Sequence, residues 1–255
     1  MAIVLEINHL FKTFGGVQAI DDFSIKLEEG NIYGLIGPNG AGKTTIFNTI
    51  TGIYKPTSGS IRFMGQDITG MKPFQIAKMG IARTFQNIRL FGNLSVLDNV
   101  FIACHLDAGY NIFNAVTRLG SFKEIEAQLK SKSFDLLNMV GLKDYMNDKA
   151  GSLPYGHQRK LEIARALALK PKLLLLDEPA AGMNSEESEE LVGFIKEIHE
   201  RYRITILMIE HHMDVVMNLC HKITVLNFGR SIAEGTPKEI QTNKTVIEAY
   251  LGGEE

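Results

Sequence analysis

The chain has no tryptophan and only two cysteines, Cys104 and Cys220, among its 255 residues. The cysteines are far apart and show no C-x-x-C spacing, so the sequence predicts neither a disulfide framework nor a zinc site. Charge is nearly balanced, with 27 Lys and Arg against 29 Asp and Glu and a formal net charge of −2. This balance gives no general electrostatic basis for binding DNA or RNA, and we expect no nucleic-acid partner.

Long apolar runs are also missing. No segment approaches the roughly 18 uninterrupted apolar residues that a membrane-spanning helix needs, and the first residues lack the pattern of a signal peptide. We therefore expect a cytoplasmic protein whose membrane role, if any, depends on a partner. A chain of 255 residues can form one large α/β domain or two small ones.

The most informative segment is Gly37–Thr44, which has the form G-x-x-x-x-G-K-T of a P-loop. A short apolar segment, predicted to be a buried strand, precedes it, and a predicted helix begins at Thr45. Glycines let consecutive N–H groups converge on a polyphosphate, and the helix N-terminus attracts its negative charge. Lys43 is predicted to contact the β- and γ-phosphates, and Thr44 to be a ligand of Mg²⁺.

Two other predicted buried strands end in polar residues. Leu173–Leu176 leads into Asp177 and Glu178, the Walker B pattern of P-loop enzymes. In that pattern the aspartate joins the Mg²⁺ shell, and the glutamate orients or deprotonates the attacking water. Ile204–Ile209 ends before Glu210 and His211, and because ligands of α/β sheets bind at this strand edge, His211 is predicted to contact the γ-phosphate.

The remaining segments give a coarse outline. Residues 2–7 and 22–27 are predicted strands, with a loop at residues 11–16 that carries Phe14. Residues 95–140 are predicted to be mainly helical, broken by turns at residues 109–111 and 119–121. A hairpin is predicted around residues 227–229, and one helix over residues 238–251.

The segment Leu153–Leu167 decides between classes of P-loop protein. It reads L-P-Y-G-H-Q-R-K-L-E-I-A-R-A-L and resembles the signature of ATP-binding-cassette (ABC) ATPases, L-S-G-G-Q followed by a helix ending in I-A-R-A-L. The resemblance covers essentially the whole chain, because the motifs occur in the family's order. These motifs are Phe14 for adenine stacking, the P-loop, Gln86 as the Q-loop, the signature, Walker B, residues 180–184 as the D-loop, and His211 as the switch histidine.

The resemblance implies an α/β fold of the P-loop NTPase type. It comprises a RecA-like core, an N-terminal antiparallel β subdomain and an inserted α-helical subdomain. We place the core at residues 1–86 and 167–235, the helical subdomain at 87–166 and a C-terminal helical tail at 236–255. The resemblance also implies ATP and Mg²⁺ as cofactors and ADP as the product. Two such domains pack head to tail, with each ATP between the P-loop of one and the signature of the other.

The resemblance assigns site residues in three groups. The implied catalytic residues are Glu178, His211 and Gln86. The implied nucleotide contacts are Phe14, Gly37, Pro38, Asn39, Gly40, Ala41, Gly42, Lys43, Thr44, Thr45, Gln86, Pro154, Tyr155, Gly156 and His157. The implied Mg²⁺ site consists of Thr44, Gln86 and Asp177.

Departures from the family pattern occur at two motifs. In the signature, Pro154 replaces serine, Tyr155 replaces the first glycine and His157 replaces glutamine, which leaves Gly156 and the helix amides to contact phosphate. In the D-loop, Asn184 occupies the aspartate position. A site that binds ATP without hydrolysing it is the alternative that these departures raise.

Within the family the chain looks most like the ATPase subunits of branched-chain amino-acid importers. Such subunits work at the cytoplasmic face of the membrane with separate permease subunits, a second ATPase subunit and, indirectly, an external binding protein. The ATPase of a lipopolysaccharide exporter is the first alternative, although it would more typically keep serine at position 154. An ABC protein that acts on nucleic acid or ribosomes is a second, and a nucleotide kinase, which would not explain the signature, is a third.

Overall fold

A computed structural model of the chain describes residues 2–107 and 122–251. Contacts divide the chain into two compact units, Met1–Gln86 with Lys172–Glu255, and Asn87–Pro171. The turns predicted at residues 109–111 and 119–121 lie outside the described residues. Among the residues that are described, no helix is both long enough and apolar enough to cross a membrane.

The first unit contains an antiparallel sheet whose strand order is β2-β1-β4-β5. Its strands are β1 (Ile3–Phe14), β2 (Val17–Glu28), β4 (Ser58–Phe63) and the two-residue β5 (Gln66–Asp67). Alternate side chains of β1 and β2 are buried, as expected for strands with one face on a core. Residues of the apolar face therefore alternate with residues of the polar face along each strand.

The second sheet of this unit has the order β10-β9-β3-β8-β7-β6. Its strands are β3 (Ile32–Ile36), β6 (Ile81–Arg83), β7 (Leu173–Asp177), β8 (Thr205–Ile209), β9 (Lys222–Asn227) and β10 (Arg230–Gly235). All neighbours are parallel except β9 and β10, which form the predicted hairpin. Strands β3, β7 and β8 are buried along their whole length, which matches their predominantly apolar sequences.

Helices of the first unit surround these sheets. They are α1 (Lys43–Ile50), α2 (Pro73–Met79), α6 (Ser185–Tyr202), α7 (Met213–Leu219), α8 (Pro237–Gln241) and α9 (Lys244–Leu251). One hydrophobic cluster contains Phe23 and Phe63 of the antiparallel sheet, Phe47 of α1 and Leu35 and Leu207 of the parallel sheet. The two sheets thus share a core, which supports the loop between β3 and α1.

The second unit is helical where it is described. It contains α3 (Val96–Cys104), α4 (Phe122–Met139) and α5 (Tyr155–Ala168), with short 3₁₀ turns at His105–Asp107, Lys143–Tyr145 and Ala150–Ser152. Ser95 caps α3 by accepting a hydrogen bond from the Asp98 N–H at 3.0 Å. These helices confirm the change to helical structure after residue 95.

Two local predictions are wrong. The loop at residues 11–16 is strand up to Phe14, because β1 and β2 form a long hairpin in which Gly15 and Gly16 alone make the turn. The single C-terminal helix is two helices, α8 and α9. They are separate because Asn243 Oδ1 accepts hydrogen bonds from the N–H groups of Thr245 and Val246 and so starts a new helix.

Candidate functional site

Apart from Phe14, the predicted site residues of the first unit lie at or after the ends of four adjacent parallel strands. The P-loop follows β3, His211 follows β8, Glu178 follows β7, and Gln86 lies shortly after β6. Because β3, β8, β7 and β6 are neighbours in this order, their carboxyl ends form one continuous edge. Ligands of open α/β sheets bind outside such an edge.

The P-loop backbone depends on its glycines. Gly37 and Gly42 have φ values of 150° and 102°, and a Cβ atom at either position would lie 2.1 Å and 2.4 Å from the carbonyl oxygens of Leu226 and Ala19. Gly42 is the residue before α1, and no side chain caps this helix or places a negative charge in its first turn. The first N–H groups of α1 therefore remain suitable for an anion.

Lys43 and Thr44 begin α1. The Lys43 ammonium is buried and donates hydrogen bonds to the carbonyl oxygens of Gly37 and Pro38, at 2.6 Å and 2.9 Å. Burial lowers the pKa of Lys43, and the negative charge of Glu178 opposes this shift. Thr44 is exposed at the start of the helix, and Thr45 is half buried. The structure thus places a cation beside the loop and a hydroxyl group at its end.

Asp177 ends β7 in a buried position. Its Oδ2 accepts a hydrogen bond from the Arg83 guanidinium at 2.6 Å, and both side chains are at most 6% exposed. Its Oδ1 is buried and, within the described residues, has no hydrogen-bond partner. Buried polar atoms are normally satisfied, so this free oxygen fits a site for a cation or for a water that a cation binds.

Glu178 connects Gln86 and His211. Its Oε2 accepts a hydrogen bond from Gln86 Nε2 at 2.7 Å, and its Oε1 lies 3.1 Å from His211 Nε2. The backbone of Glu178 has a φ of 47°, in the left-handed region, and its N–H donates to Ile209 O at 2.9 Å. Glu178 therefore contacts each of the other two residues that were predicted to be catalytic.

A cavity of about 700 Å³ adjoins the P-loop. It is lined by Gly37, Pro38, Asn39, Ala41, His211, Asn227, Phe228, Glu248, Ala249 and Tyr250. Burial raises the pKa of the Tyr250 hydroxyl, and a hydrogen bond with the Gly37 backbone opposes that shift. Helix α9, near the end of the chain, thus reaches the phosphate loop.

Phe14 is the last residue of β1, and it was predicted to lie in a loop. Its ring is 40% exposed and packs edge to face against Tyr54, with 5.0 Å between the ring centroids. The Lys12 ammonium lies 4.6 Å from the centre of the Phe14 ring. A partly exposed aromatic ring of this kind is suited to stacking on a planar group.

The predicted signature residues belong to the second unit. Pro154 precedes α5 as its N-cap without a side-chain hydrogen bond, and Tyr155, Gly156 and His157 form the first turn. The Tyr155 hydroxyl accepts a hydrogen bond from Arg159 at 3.0 Å. Like α1, this helix begins without a side-chain cap, which suits an anion at its N-terminus.

Comparisons with known proteins agree with this geometry. The family model described as "ABC transporter" matches residues 20–181, and the model for the branched-chain amino acid ATP-binding cassette transporter matches residues 230–255. The high-affinity branched-chain amino acid transport ATP-binding protein LivG of Salmonella typhimurium is 43% identical, over 98% of both chains. The corresponding protein BraF of Pseudomonas aeruginosa is 41% identical, again over 98% of both. The chain belongs to the ABC transporter family.

Solved structures of ABC cassettes have the same fold. The ADP conformation of MJ1267, an ATP-binding cassette of an ABC transporter, superimposes with a TM-score of 0.86 at 32% identity, covering 99% of this chain and 100% of that one. The subunit cbiO1 of Clostridium perfringens superimposes with a TM-score of 0.80 at 25% identity, covering 100% of this chain and 96% of that one. The predicted fold class, a P-loop ABC ATPase, is confirmed.

Some residues around this ABC site were missed by the sequence interpretation. Arg83 pairs with Asp177 and also donates to Asn48 Oδ1 at 2.8 Å and to Thr51 Oγ1 at 3.2 Å. The sequence feature that could have identified Arg83 is a charged residue in an otherwise apolar short strand. Glu210, which is 1% exposed, lies beside the switch position. Its signal was an acidic residue directly after a buried strand, the pattern that identified Asp177 and Glu178.

The D-loop residue Asn184 has a local role in this ABC cassette. Its Oδ1 accepts a hydrogen bond from the Glu187 N–H at 2.9 Å, and Glu187 Oε2 accepts one from the Asn184 N–H at 3.0 Å. This reciprocal pair is a capping box at the start of α6. The side chain that departs from the family aspartate is therefore used to begin a helix.

Proposed function

We propose that the chain is the ATP-hydrolysing, energy-coupling subunit of an ABC importer for branched-chain amino acids. The observation that carries this proposal is the contact of Glu178 with both Gln86 and His211 at the strand edge that carries the P-loop. The site thus combines a carboxylate that can accept a proton, a histidine beside it and a loop lined by a cation. Phosphoryl transfer to water needs groups of these kinds.

ATP would be held by the P-loop, residues 37–45. Lys43 and the first amides of α1 would contact the phosphates, because both present positive charge at the same loop. Phe14 would stack on the adenine. Mg²⁺, when bound, neutralises phosphate charge, and Thr44, Gln86 and the free Oδ1 of Asp177 would hold it or its waters.

Glu178 is proposed to orient or deprotonate the attacking water. His211 would hold the carboxylate and contact the γ-phosphate side of the nucleotide, and Gln86 would connect the reaction to the transporter. The residues Pro154, Tyr155, Gly156 and His157 would contact the nucleotide of a partner subunit through helix amides. We further propose that residues 1–86 and 167–235 act as the core, 87–166 as the helical subdomain and 236–255 as a tail.

The partners proposed are integral-membrane permease subunits and a second ABC ATPase subunit, with an external binding protein acting indirectly. The chain would then be attached to the cytoplasmic face of the membrane through the permeases. Support comes from the names of LivG and BraF and from the match of residues 230–255 to the branched-chain family model. The near balance of 27 Lys and Arg with 29 Asp and Glu gives no general electrostatic basis for a nucleic-acid partner.

The experiment that tests this function is purification of the tagged chain from its own membranes, with identification of the subunits that accompany it. We expect multi-span permeases and a second ATPase, and ATP hydrolysis that rises when leucine, isoleucine or valine and the binding protein are supplied. A tagged Lys43→Ala chain is the control for the hydrolysis measurement. Recovery of lipopolysaccharide-export subunits, ribosomes or nucleic acid in place of permeases would contradict the import function.

A further inference from the structure

Glu210 is a buried carboxylate between two loops of the site. It follows β8, is 1% exposed, and belongs to neither the P-loop nor the residues assigned to catalysis. A buried charge is costly unless several donors compensate it. The carboxylate of Glu210 therefore needs hydrogen-bond donors close to it.

The two oxygens of Glu210 contact different loops. Oε1 accepts a hydrogen bond from the N–H of Ala180, in the turn after β7, at 2.7 Å. Oε2 accepts hydrogen bonds from the N–H groups of His211 at 2.7 Å and His212 at 3.1 Å, and lies 3.2 Å from His212 Nδ1. One side chain thus joins the turn that carries Glu178 to the turn that carries His211.

A second connection runs parallel to the first. The N–H of Glu178 donates to the carbonyl oxygen of Ile209 at 2.9 Å, so backbone and side chain together hold the two turns. The distance between Glu178 Oε1 and His211 Nε2 is 3.1 Å. Since both residues belong to short turns after rigid strands, this distance depends on how the turns are held.

We propose that Glu210 is a positioning residue for hydrolysis, which sets the contact between Glu178 and His211 by holding both turns. This inference rests on the proposed ATPase function. Hydrogen bonds to a charged acceptor are stronger than neutral ones, so an ionised carboxylate is suited to this position. A neutral amide is not, because its NH₂ group would face a backbone N–H in either orientation.

The test compares Glu210→Gln with the unaltered chain and with Glu197→Gln, an exposed glutamate on α6. We expect Glu210→Gln to lower kcat for ATP about 10- to 100-fold, because misplacement of a reacting group by about 1 Å has effects of that size. The KM and the Kd for ATP should change less than about twofold, because the hydrogen bonds of Glu210 within the described residues go to Ala180, His211 and His212 and not to the P-loop. Glu197→Gln should behave like the unaltered chain.

A double variant separates positioning from general weakening of the fold. If Glu210 acts through the Glu178–His211 contact, adding Glu210→Gln to His211→Ala should reduce kcat by much less than the product of the two single effects. Multiplicative losses, or a folded Glu210→Gln chain with kcat within twofold of normal, would overturn the proposal. If Glu210→Gln does not fold, Glu210→Asp, which keeps the charge on a shorter side chain, takes its place.

Amide hydrogen exchange gives a readout that does not depend on hydrolysis. Glu210→Gln should accelerate exchange in the peptide that contains Ala180, although this residue lies 30 positions away in sequence. Unchanged exchange there would contradict the connection itself. An unaltered chain that neither binds nor hydrolyses ATP would instead refute the proposed function, and the exchange result would still decide whether Glu210 joins the turns.

Discussion

Glu178 Oε1 and His211 Nε2 lie 3.1 Å apart, although the two residues are 33 positions apart in sequence and follow different strands. The pairing of β7 with β8, in which Asp177 is opposite Ile209, produces this proximity. The carboxylate is thereby oriented from one side by His211 and from the other by Gln86. A base held at two points has little freedom to turn away from a water in the site.

Replacement of the carboxylate should separate ATP binding from hydrolysis. We expect Glu178→Gln to bind ATP normally and to hydrolyse it about 10²- to 10⁴-fold more slowly, because general-base catalysis is lost while the P-loop is unchanged. The variant should accumulate as an ATP-bound dimer. ATPase assays and light scattering with Mg-ATP measure both effects, and a chain that stays monomeric with ATP would count against the two-subunit site.

Removal of the P-loop cation should act on binding. Lys43→Ala should lose productive nucleotide binding, because no other described side chain places a cation against the carbonyl oxygens of Gly37 and Pro38. Binding of a fluorescent ATP analogue measures the effect. Lys196→Ala, at an exposed position on α6, is the matched control and should bind as the unaltered chain does. Retained ATPase activity in Lys43→Ala would refute the site assignment.

Loss of the Arg83 guanidinium should mainly affect stability. Arg83→Met leaves the buried Asp177 carboxylate without its partner, and breaking such a buried pair costs about 3–5 kcal/mol of unfolding free energy. Urea denaturation measures the loss. Adding Asp177→Asn should restore part of it, because the unpaired charge is then removed. Arg62→Met, at an exposed position on β4, should change stability by less than about 0.5 kcal/mol.

His221 should make stability depend on pH. Its Nδ1 accepts a hydrogen bond from the Ile32 N–H at 2.9 Å, which requires the neutral ring. Burial, and to a lesser extent the neighbouring His199, lowers the pKa of His221 in the folded chain. The unfolded chain therefore binds the proton more readily, and stability is fully present above about pH 6.5 and decreases as the pH falls through the lowered pKa.

The control for this pH dependence is His221→Asn, which keeps an acceptor but does not titrate. Urea denaturation between pH 7.5 and pH 5.5, chosen as roughly one unit either side of the ordinary histidine pKa, should show a smaller loss of stability in this variant. Equal losses in both chains would show that other groups account for the acid sensitivity.

Much of the fold was predictable because its signals are local. The apolar sequence Leu173–Leu176 specifies a buried strand wherever it lies, and the glycines of the P-loop specify a tight turn before a helix. The family motifs, taken in their order along the chain, indicated how these strands and helices are arranged in the fold. The long hairpin to Phe14 was missed because strand length depends on pairing with β2, which no local signal shows.

The contacts between site residues were less predictable. Arg83 is opposite Leu175 in the sheet, so its pairing with Asp177 follows from the choice of β6 as the neighbour of β7. The role of Glu210 depends in the same way on which turn lies beside β8. Such relationships arise from strand order, and strand order is a property of the whole sheet.

The left-handed backbone at Glu178, with a φ of 47°, bears on how sequence variation at this position is interpreted. Residues branched at Cβ are disfavoured in this conformation, at a cost of about 1–3 kcal/mol, whereas glycine, asparagine and aspartate tolerate it. In a library of all substitutions at position 178, the cellular abundance of each variant would therefore depend on how well its residue tolerates the left-handed backbone. The transport activity of each variant would depend on whether its side chain can act as the base. Asparagine and glycine would be abundant but inactive, whereas valine and isoleucine would be depleted before activity could be judged.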